Sequence, residues 1–185
     1  IKAQIFGESI FEQNTLDVRR KEVALIPPDR HKEGLVLDFS VAENFLLGKT
    51  QIDKSDFKSK ITKCDDLKKL MISFDIRPPE PSQNAGRFSG GNQQKIVLAR
   101  ELHALGEKSF ILAAHPTRGV DLGAIEFIHK EILKRAEKGA GVLLVSSELT
   151  ELFSLCHKIV VLYKHRVHGV FTRDFDENAI GRAMT

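Results

Sequence analysis

One stretch of this 185-residue chain decides the fold, and it runs Phe88-Ser89-Gly90-Gly91-Asn92-Gln93-Gln94-Lys95-Ile96-Val97-Leu98-Ala99-Arg100-Glu101-Leu102. Its second half has helical spacing, with Leu98, Leu102 and Leu105 on one face. Ser89 is a good N-cap, and the paired glycines let a partner approach the backbone closely. A helix start of this kind presents unpaired N–H groups and a positive dipole end, which favour an anion such as phosphate. A capped helix without any ligand is the other interpretation.

The longer string indicates a family. Residues 88–95, followed by Leu98-Ala99-Arg100, resemble the signature motif of ABC transporter ATPases, and the Asn-Gln-Gln form resembles that of monosaccharide and nucleoside importers. The segments 28–44 and 116–119 are similar to the second, C-terminal ATPase domain of such importers. The resemblance extends over residues 24–171 and implies a part of a nucleotide-binding domain.

The order of apolar patterns predicts an α/β fold with a mostly parallel sheet, because strands and helices alternate in the second half. We expect N-terminal strands of the ATPase core in residues 1–37, an inserted helical subdomain in 38–87, and the signature helix with the remaining core in 88–185. Predicted strands are 23–26, 109–114, 142–147, 159–163 and 167–171; predicted helices are one capped by Ser40, 56–74, the signature helix, 123–138, 148–156 and 177–184.

Composition narrows the function classes. The formal net charge is only +3, with basic and acidic residues interleaved, which gives no argument for a nucleic-acid partner. The two cysteines, Cys64 and Cys156, lie far apart and are interpreted as free thiols. The seven histidines are scattered and indicate no metal site. No signal peptide or membrane-spanning apolar run is visible, and the start at Ile1 suggests a processed or truncated piece.

The tripeptide Gly48-Lys49-Thr50 resembles the end of a phosphate-binding P-loop, G-x-x-x-x-G-K-[ST], but does not complete it. The first glycine of the motif would fall on Glu43, and the tripeptide follows a predicted helix instead of a strand. No other Gly-Lys-Ser/Thr occurs. We therefore expect the P-loop strand and helix to lie upstream, outside this chain.

The positions that the resemblance assigns to catalysis are degenerate. In the family an apolar strand ends in Asp-Glu before Pro-Thr; the first acid holds Mg²⁺ and the second positions the attacking water. Alignment on Pro116-Thr117 puts Ala114 and His115 at these two positions. Ser147 replaces the histidine that senses the γ-phosphate, and Pro28 replaces a Gln or Glu that links the metal site to the membrane partner. The resemblance therefore implies neither a catalytic residue nor a metal ligand in this chain.

The signature remains intact. The nucleotide-contacting residues that the resemblance implies are Phe88, Ser89, Gly90, Gly91, Asn92, Gln93 and Asp121. In this family ATP lies between two domains, and each site takes its P-loop and metal acid from one domain and its signature from the other. ATP and Mg²⁺ are therefore expected only in the assembled transporter.

The resemblance implies a degenerate domain of a nucleoside or sugar importer, inactive alone, which lends its signature to a partner and couples ATP hydrolysis to transport. Its expected partners are a P-loop-bearing ATPase domain, an integral membrane permease and, indirectly, a solute-binding protein, with the chain peripheral at the cytoplasmic face. A non-catalytic ABC-type scaffold or regulatory module is the alternative. An ABC ATPase outside transport fits less well, and the cargo stays open.

Overall fold

The computed structural model describes residues 3–11, 13–14, 17–18, 22–47, 64–103 and 105–185. These form two compact units, Ile1–Val145 and Ser146–Thr185, which are described separately. Within the described ranges no helix is long and apolar enough to cross a membrane. The tripeptide Gly48-Lys49-Thr50 and the first part of the predicted helix 56–74 lie outside these ranges.

The first unit contains a short hairpin and a parallel sheet. Strands β1 (Gln4–Ile5) and β2 (Glu8–Ser9) pair antiparallel. Strands β3 (Val23–Ile26), β4 (Phe110–Ala114) and β5 (Gly141–Val145) are parallel and lie in the order β3-β4-β5. Their carboxyl ends therefore meet at one edge of the sheet, and the predicted α/β fold with parallel strands is confirmed.

Several helices of the first unit begin near the caps that the sequence predicts, whereas the helical turns at Arg30–Gly34 and Ala85–Arg87 were expected as a turn and a loop. Ser40 begins the first of these helices with the expected capping box, because its Oγ accepts from the Glu43 N–H at 3.2 Å while the Ser40 N–H donates to the Glu43 carboxylate at 2.8 Å. The helical segments are a π-helical turn (Arg30–Gly34), α1 (Val41–Asn44), α2 (Cys64–Ser73), a 3₁₀ turn (Ala85–Arg87), α3 (Gly90–Leu102) and α4 (Leu122–Glu137).

A single hydrophobic core holds the first unit together. The alternation of strands β3 and β4 turns one face of the sheet inward, and α3 fills that face with a run of buried apolar residues, Ile96–Ala99. Phe45, Met71 and Phe74, from the expected helical subdomain, belong to the same core. The boundaries at 37/38 and 87/88 stay predictions.

The two edges of the parallel sheet differ. At the β3 edge, the Leu25 N–H donates to the Glu101 carboxylate at 3.3 Å, and Glu101 is paired with Arg100 at 3.0 Å. At the β5 edge no strand pairs within the described residues, and Leu143 and Val145 are 51% and 46% exposed. The glutamate therefore covers one edge, whereas the other presents apolar side chains.

The second unit is a hairpin with two short helices. Strands β6 (Lys158–Tyr163) and β7 (Arg166–Thr172) pair antiparallel, as the sequence predicts. Helices α5 (Leu149–Leu155) and α6 (Glu177–Ala183) flank them. Its small core is built on the buried residues Ile159, Val161 and Ile180. Cys156 of this unit is a free thiol, as predicted, and burial raises its pKa.

Candidate functional site

The start of α3 is the centre of the candidate site. Ser89 has extended backbone angles, its hydroxyl accepts from the Asn92 N–H at 3.4 Å, and its carbonyl accepts the first helical bond from Gln93 at 2.8 Å. Helix geometry leaves the amides of Gly90 and Gly91 without partners inside the helix. Ser89 is exposed and Gly90 is half-buried, so an anion can reach the start of the helix on this side, whereas Gly91 is buried.

The two glycines are tightly surrounded by the protein itself. A Cβ on Gly90 would lie 2.8 Å from Arg30 Nη2 and 3.1 Å from the Gly119 carbonyl. A Cβ on Gly91 would lie 2.6 Å from Asp121 Oδ2 and 2.9 Å from the Ala124 Cβ. Real Cβ atoms do not approach neighbours below 3.0 Å, so Gly91 requires glycine for packing within this chain, whereas a Cβ on Gly90 would displace the tip of the Arg30 side chain and crowd the Gly119 carbonyl.

Arg30 joins the start of α3 to the loop that precedes α4. Its Nη1 donates to the Arg118 carbonyl at 2.9 Å, its Nη2 to the Gly119 carbonyl at 3.4 Å, and its Nε to Gln93 Oε1 at 3.4 Å. The planar guanidinium suits this arrangement because it holds several acceptors at fixed angles. Arg30 therefore also brings a full positive charge next to Gly90.

Asp121 caps α4 beside this corner. Its Oδ1 accepts from the Ala124 N–H at 2.9 Å, and its Oδ2 points at Gly91. The structure thus brings together Ser89, Gly90, Gly91 and Asp121, all of which the sequence assigns to nucleotide contact. We call Arg30, Ser89–Gly91 and Arg118–Asp121 the signature corner.

Three other predicted contact residues have side chains engaged within the protein. Phe88 is 5% exposed and belongs to the hydrophobic core. Gln93 is buried, its Oε1 lies 2.8 Å from His31 Nε2, and its amide nitrogen donates to the Ala85 carbonyl at 3.3 Å. Asn92 bonds to Ser89 and to the backbone of Arg77. These contacts hold the three side chains within the protein, and their contact with a nucleotide stays a prediction.

Three of the degenerate positions, Ala114, His115 and Pro28, follow or end strands of the first unit at their carboxyl ends. Ala114 ends β4, and His115 follows with φ of 47° while its N–H donates to the Val145 carbonyl at 2.7 Å. Pro28 follows β3 and is exposed. Ser147 belongs to the second unit and is exposed. Neither Ala114 nor Pro28 offers a side-chain ligand for a metal.

Sequence reasoning missed Arg30 and the anchor at Lys95. Lys95 is buried, and its ammonium donates to Asp75 Oδ2 at 2.7 Å, to the Asp75 carbonyl at 3.1 Å, and lies 4.9 Å from the Phe127 ring centroid. This ammonium holds the pKa of the Asp75 carboxyl below its ordinary value. The available signal was a lysine directly before the apolar run Ile96–Ala99, because a lysine buried with such a run needs a partner.

Comparison with known sequences places these features in a family, although no family model matches the chain. The chain is 37% identical over 182 residues to the guanosine import ATP-binding protein NupO of Bacillus subtilis, covering 96% of this chain and 35% of that protein. It is 34% identical over 170 residues to the nucleoside import ATP-binding protein NupA of Lactococcus lactis, covering 90% and 33%. It is 34% identical over 174 residues to a ribose import ATP-binding protein RbsA of Bacillus cereus, covering 92% and 35%.

Solved structures agree on the fold. The ADP- and phosphate-bound dimer of the ATP-binding cassette MJ0796 superposes with a TM-score of 0.67 at 19% identity, over 92% of this chain and 73% of that chain. An ATP-binding subunit of an ABC transporter superposes with a TM-score of 0.66 at 22% identity, over 92% of this chain and 66% of that chain. The chain spans about a third of the length of the curated relatives it matches. This chain belongs to the ABC ATPase family, and its relatives there are import ATP-binding proteins for nucleosides and sugars.

Proposed function

We propose that this chain is a degenerate nucleotide-binding domain that lends the start of α3 to an ATP site whose P-loop lies on a partner ATPase domain. The observation that carries the proposal is the start of α3, where Ser89 offers an exposed hydroxyl beside the helix-end amides of Gly90 and Gly91. Relatives named for guanosine, nucleoside and ribose import support a nucleoside or a sugar as cargo.

The signature corner fits a phosphate group, whereas the carboxyl edge of the sheet does not fit Mg²⁺. Hydroxyl, amide and guanidinium groups are donors that suit phosphate oxygens. Mg²⁺ takes oxygen ligands, usually carboxylates, and the position that the resemblance assigns to its acidic ligand holds Ala114. Within the described residues no cluster of His, Cys, Asp and Glu could hold a metal ion. We therefore assign no metal-dependent step to this chain.

The residues of the corner would act by position and charge. ATP, when bound by the partner domain, supplies the phosphoryl group whose transfer to water drives transport. Ser89 and the amides of Gly90 and Gly91 would donate to the phosphate oxygens where negative charge shifts in the transition state. Arg30 and Asp121 would keep these donors aligned through the loop 118–121. The chain alone is expected to be inactive and to bind MgATP weakly, because it contains no P-loop.

This role implies partners at a membrane. ATP hydrolysis would be coupled to transport through an integral membrane permease, with a solute-binding protein as an indirect partner. The chain would be peripheral at the cytoplasmic face of the membrane. No nucleic acid is needed for this role. A second candidate function is a non-catalytic scaffold of the same fold. The degenerate residues Ala114 and His115 favour this candidate if the signature corner binds no phosphate.

Substitution of Ser89 in the full-length protein, assembled with its permease, separates the two candidates. Asp and Asn are both good N-caps, so Ser89→Asp and Ser89→Asn preserve the helix start equally. Only the aspartate places a negative charge where a phosphate must bind. The first proposal predicts that ATPase activity of Ser89→Asp falls about 10²- to 10³-fold below that of Ser89→Asn, comparable to the loss of a preorganised donor.

Equal ATPase activity in the two variants would favour the scaffold. Further variants give an expected order of activity loss, with Gly91→Asp most severe, Ser89→Ala intermediate because backbone donors remain, and His115→Ala close to wild type. Loss of hydrolysis in His115→Ala with full activity in Gly91→Asp would reverse the roles and make His115 a catalytic base.

A further inference from the structure

The side chain of Asn92 bridges the hydroxyl of Ser89 and the backbone N–H of Arg77. Its Oδ1 accepts from the Arg77 N–H at 2.8 Å, and its Nδ2 donates to Ser89 Oγ at 3.0 Å. Arg77 lies 15 residues earlier in the chain, so this bridge is a tertiary contact. Asn92 is thus placed between a fixed backbone group and the exposed hydroxyl.

The orientation of this amide follows from chemistry. A backbone N–H can only donate, so the Asn92 atom 2.8 Å from the Arg77 nitrogen must be the carbonyl oxygen. The amide nitrogen consequently faces Ser89. Because that nitrogen has no lone pair to offer, Ser89 Oγ must be the acceptor in their contact.

This arrangement fixes the direction in which Ser89 can donate. A serine hydroxyl has two acceptor lone pairs and one proton. Ser89 Oγ accepts from Asn92 Nδ2 at 3.0 Å and from the Asn92 N–H at 3.4 Å, so both lone pairs face α3. The hydroxyl proton then points away from these two donors, and Ser89 is exposed on its remaining side.

The backbone group that orients Asn92 is itself held against α3. Arg77 Nε donates to Asp75 Oδ1 at 2.7 Å, and the buried Lys95 ammonium binds Asp75 Oδ2 at 2.7 Å. Lys95 lies one turn after Asn92 on the same helix. Segment 75–77 is therefore joined to α3 at two points, through Lys95 and through Asn92.

We infer that Asn92 is a positioning residue that turns the Ser89 hydroxyl into a directed donor for a phosphate oxygen of the partner's nucleotide. The inference rests on the proposed function and assigns Asn92 a role through Ser89 instead of direct contact with the nucleotide. An oriented donor is stronger in the transition state than a freely rotating one, because it needs no reorganisation when charge shifts.

The test is a double-mutant cycle on ATPase activity in the full-length protein assembled with its permease. Asn92→Ala frees the hydroxyl to rotate, and we expect kcat to fall about three- to tenfold, the size of one modest hydrogen bond, with KM for ATP unchanged. In a Ser89→Ala background the same change should have no further effect. Asn92→Asp, which is isosteric, should be worse than Asn92→Ala because its carboxylate accepts the hydroxyl proton.

Thermal melting of each variant shows whether the helix start survives, and Asn92→Asp keeps the test usable if Asn92→Ala does not fold. The inference is overturned if Asn92→Ala lowers kcat equally with and without the Ser89 hydroxyl, if it has no effect at all, or if Ser89→Ala alone leaves kcat unchanged. Equal activities of Ser89→Asp and Ser89→Asn would instead defeat the proposed function itself, so the two failures are distinguishable.

Discussion

Gly91→Ala tests the packing of the signature corner with a single added methyl group. The new Cβ would lie 2.6 Å from Asp121 Oδ2 and 2.9 Å from the Ala124 Cβ, both below the closest approach that real Cβ atoms make. Asp121 cannot turn away freely, because its Oδ1 accepts from the Ala124 N–H at 2.9 Å and caps α4. The start of α3 or of α4 must therefore shift.

The expected cost follows from two opposing contributions. Overpacking by a methylene-sized group destabilises by about 1–3 kcal/mol. Alanine gains up to about 1 kcal/mol over glycine inside a helix, and less in its first turn. The free energy of unfolding should therefore fall by about 1–2 kcal/mol. Gly123→Ala is the matched control, since its nearest neighbour would be Asp121 Oδ1 at an ordinary 3.5 Å and the position is exposed.

Urea unfolding of the chain, evaluated by linear extrapolation, measures the difference between the two alanine variants. Gly123→Ala should match or exceed wild type, and Gly91→Ala should lie below it. In an Asp121→Ser background, which keeps a good N-cap but removes the Oδ2 contact, the cost of Gly91→Ala should shrink. If Gly91→Ala is as stable as Gly123→Ala, α4 does not pack against Gly91 and the reasoning is refuted.

Three further outcomes are expected. Arg30→Lys keeps the positive charge but loses the guanidinium that binds the Arg118 and Gly119 carbonyls. The ATPase activity of the assembled transporter should therefore fall as far as in Arg30→Met. Full activity in the lysine variant would show that charge alone matters. His115→Ala should leave the ATPase activity of the assembled transporter within about twofold of wild type, because His115 has no metal or P-loop to act with. A steady-state ATPase assay checks this. The lowered pKa of Asp75 contributes stability that is present above its ordinary value of 3.8 and is lost as the pH falls through the folded pKa; acid titration of the unfolding free energy should therefore show a shallower loss for Asp75→Asn than for wild type.

Local rules predicted much of the fold. The strand Val23–Ile26 was expected at the observed residues because Pro27-Pro28 cannot continue a sheet, and the capping box at Ser40 and the N-cap at Ser89 were read directly from side-chain chemistry. The start of α4 was expected at Gly123, one residue late, and the Asp121 carboxylate, which caps this helix, was not interpreted as a cap. Local signals therefore located the starts of these elements to within one residue.

The tertiary links of the candidate site could not be read from spacing. Arg30 meets Gln93 across 63 residues and the Gly119 carbonyl across 89, and no periodic pattern connects positions so far apart. The resemblance assigned Gln93 to nucleotide contact, and it gave no sign that the Gln93 amide would also contact His31 and the Ala85 carbonyl. Side-chain direction at a helix start depends on what packs behind it, which a single sequence does not state.

The packing of the glycine pair changes what a mutational result can prove. Gly91 would be required by Asp121 and Ala124, and Gly90 would be favoured by the close approach of Arg30, even if this domain never met a phosphate. Gly91→Asp adds a second carboxylate next to that of Asp121, so a loss of ATPase activity in this variant follows from phosphate exclusion and from local disruption alike. Ser89 is different, because it is exposed and its capping role can be filled by Asn or Asp at equal cost. The effect of a negative charge at position 89 on ATPase activity, more than the effect of substituting the glycines, therefore distinguishes a phosphate-binding signature from a scaffold that has kept the signature's fold.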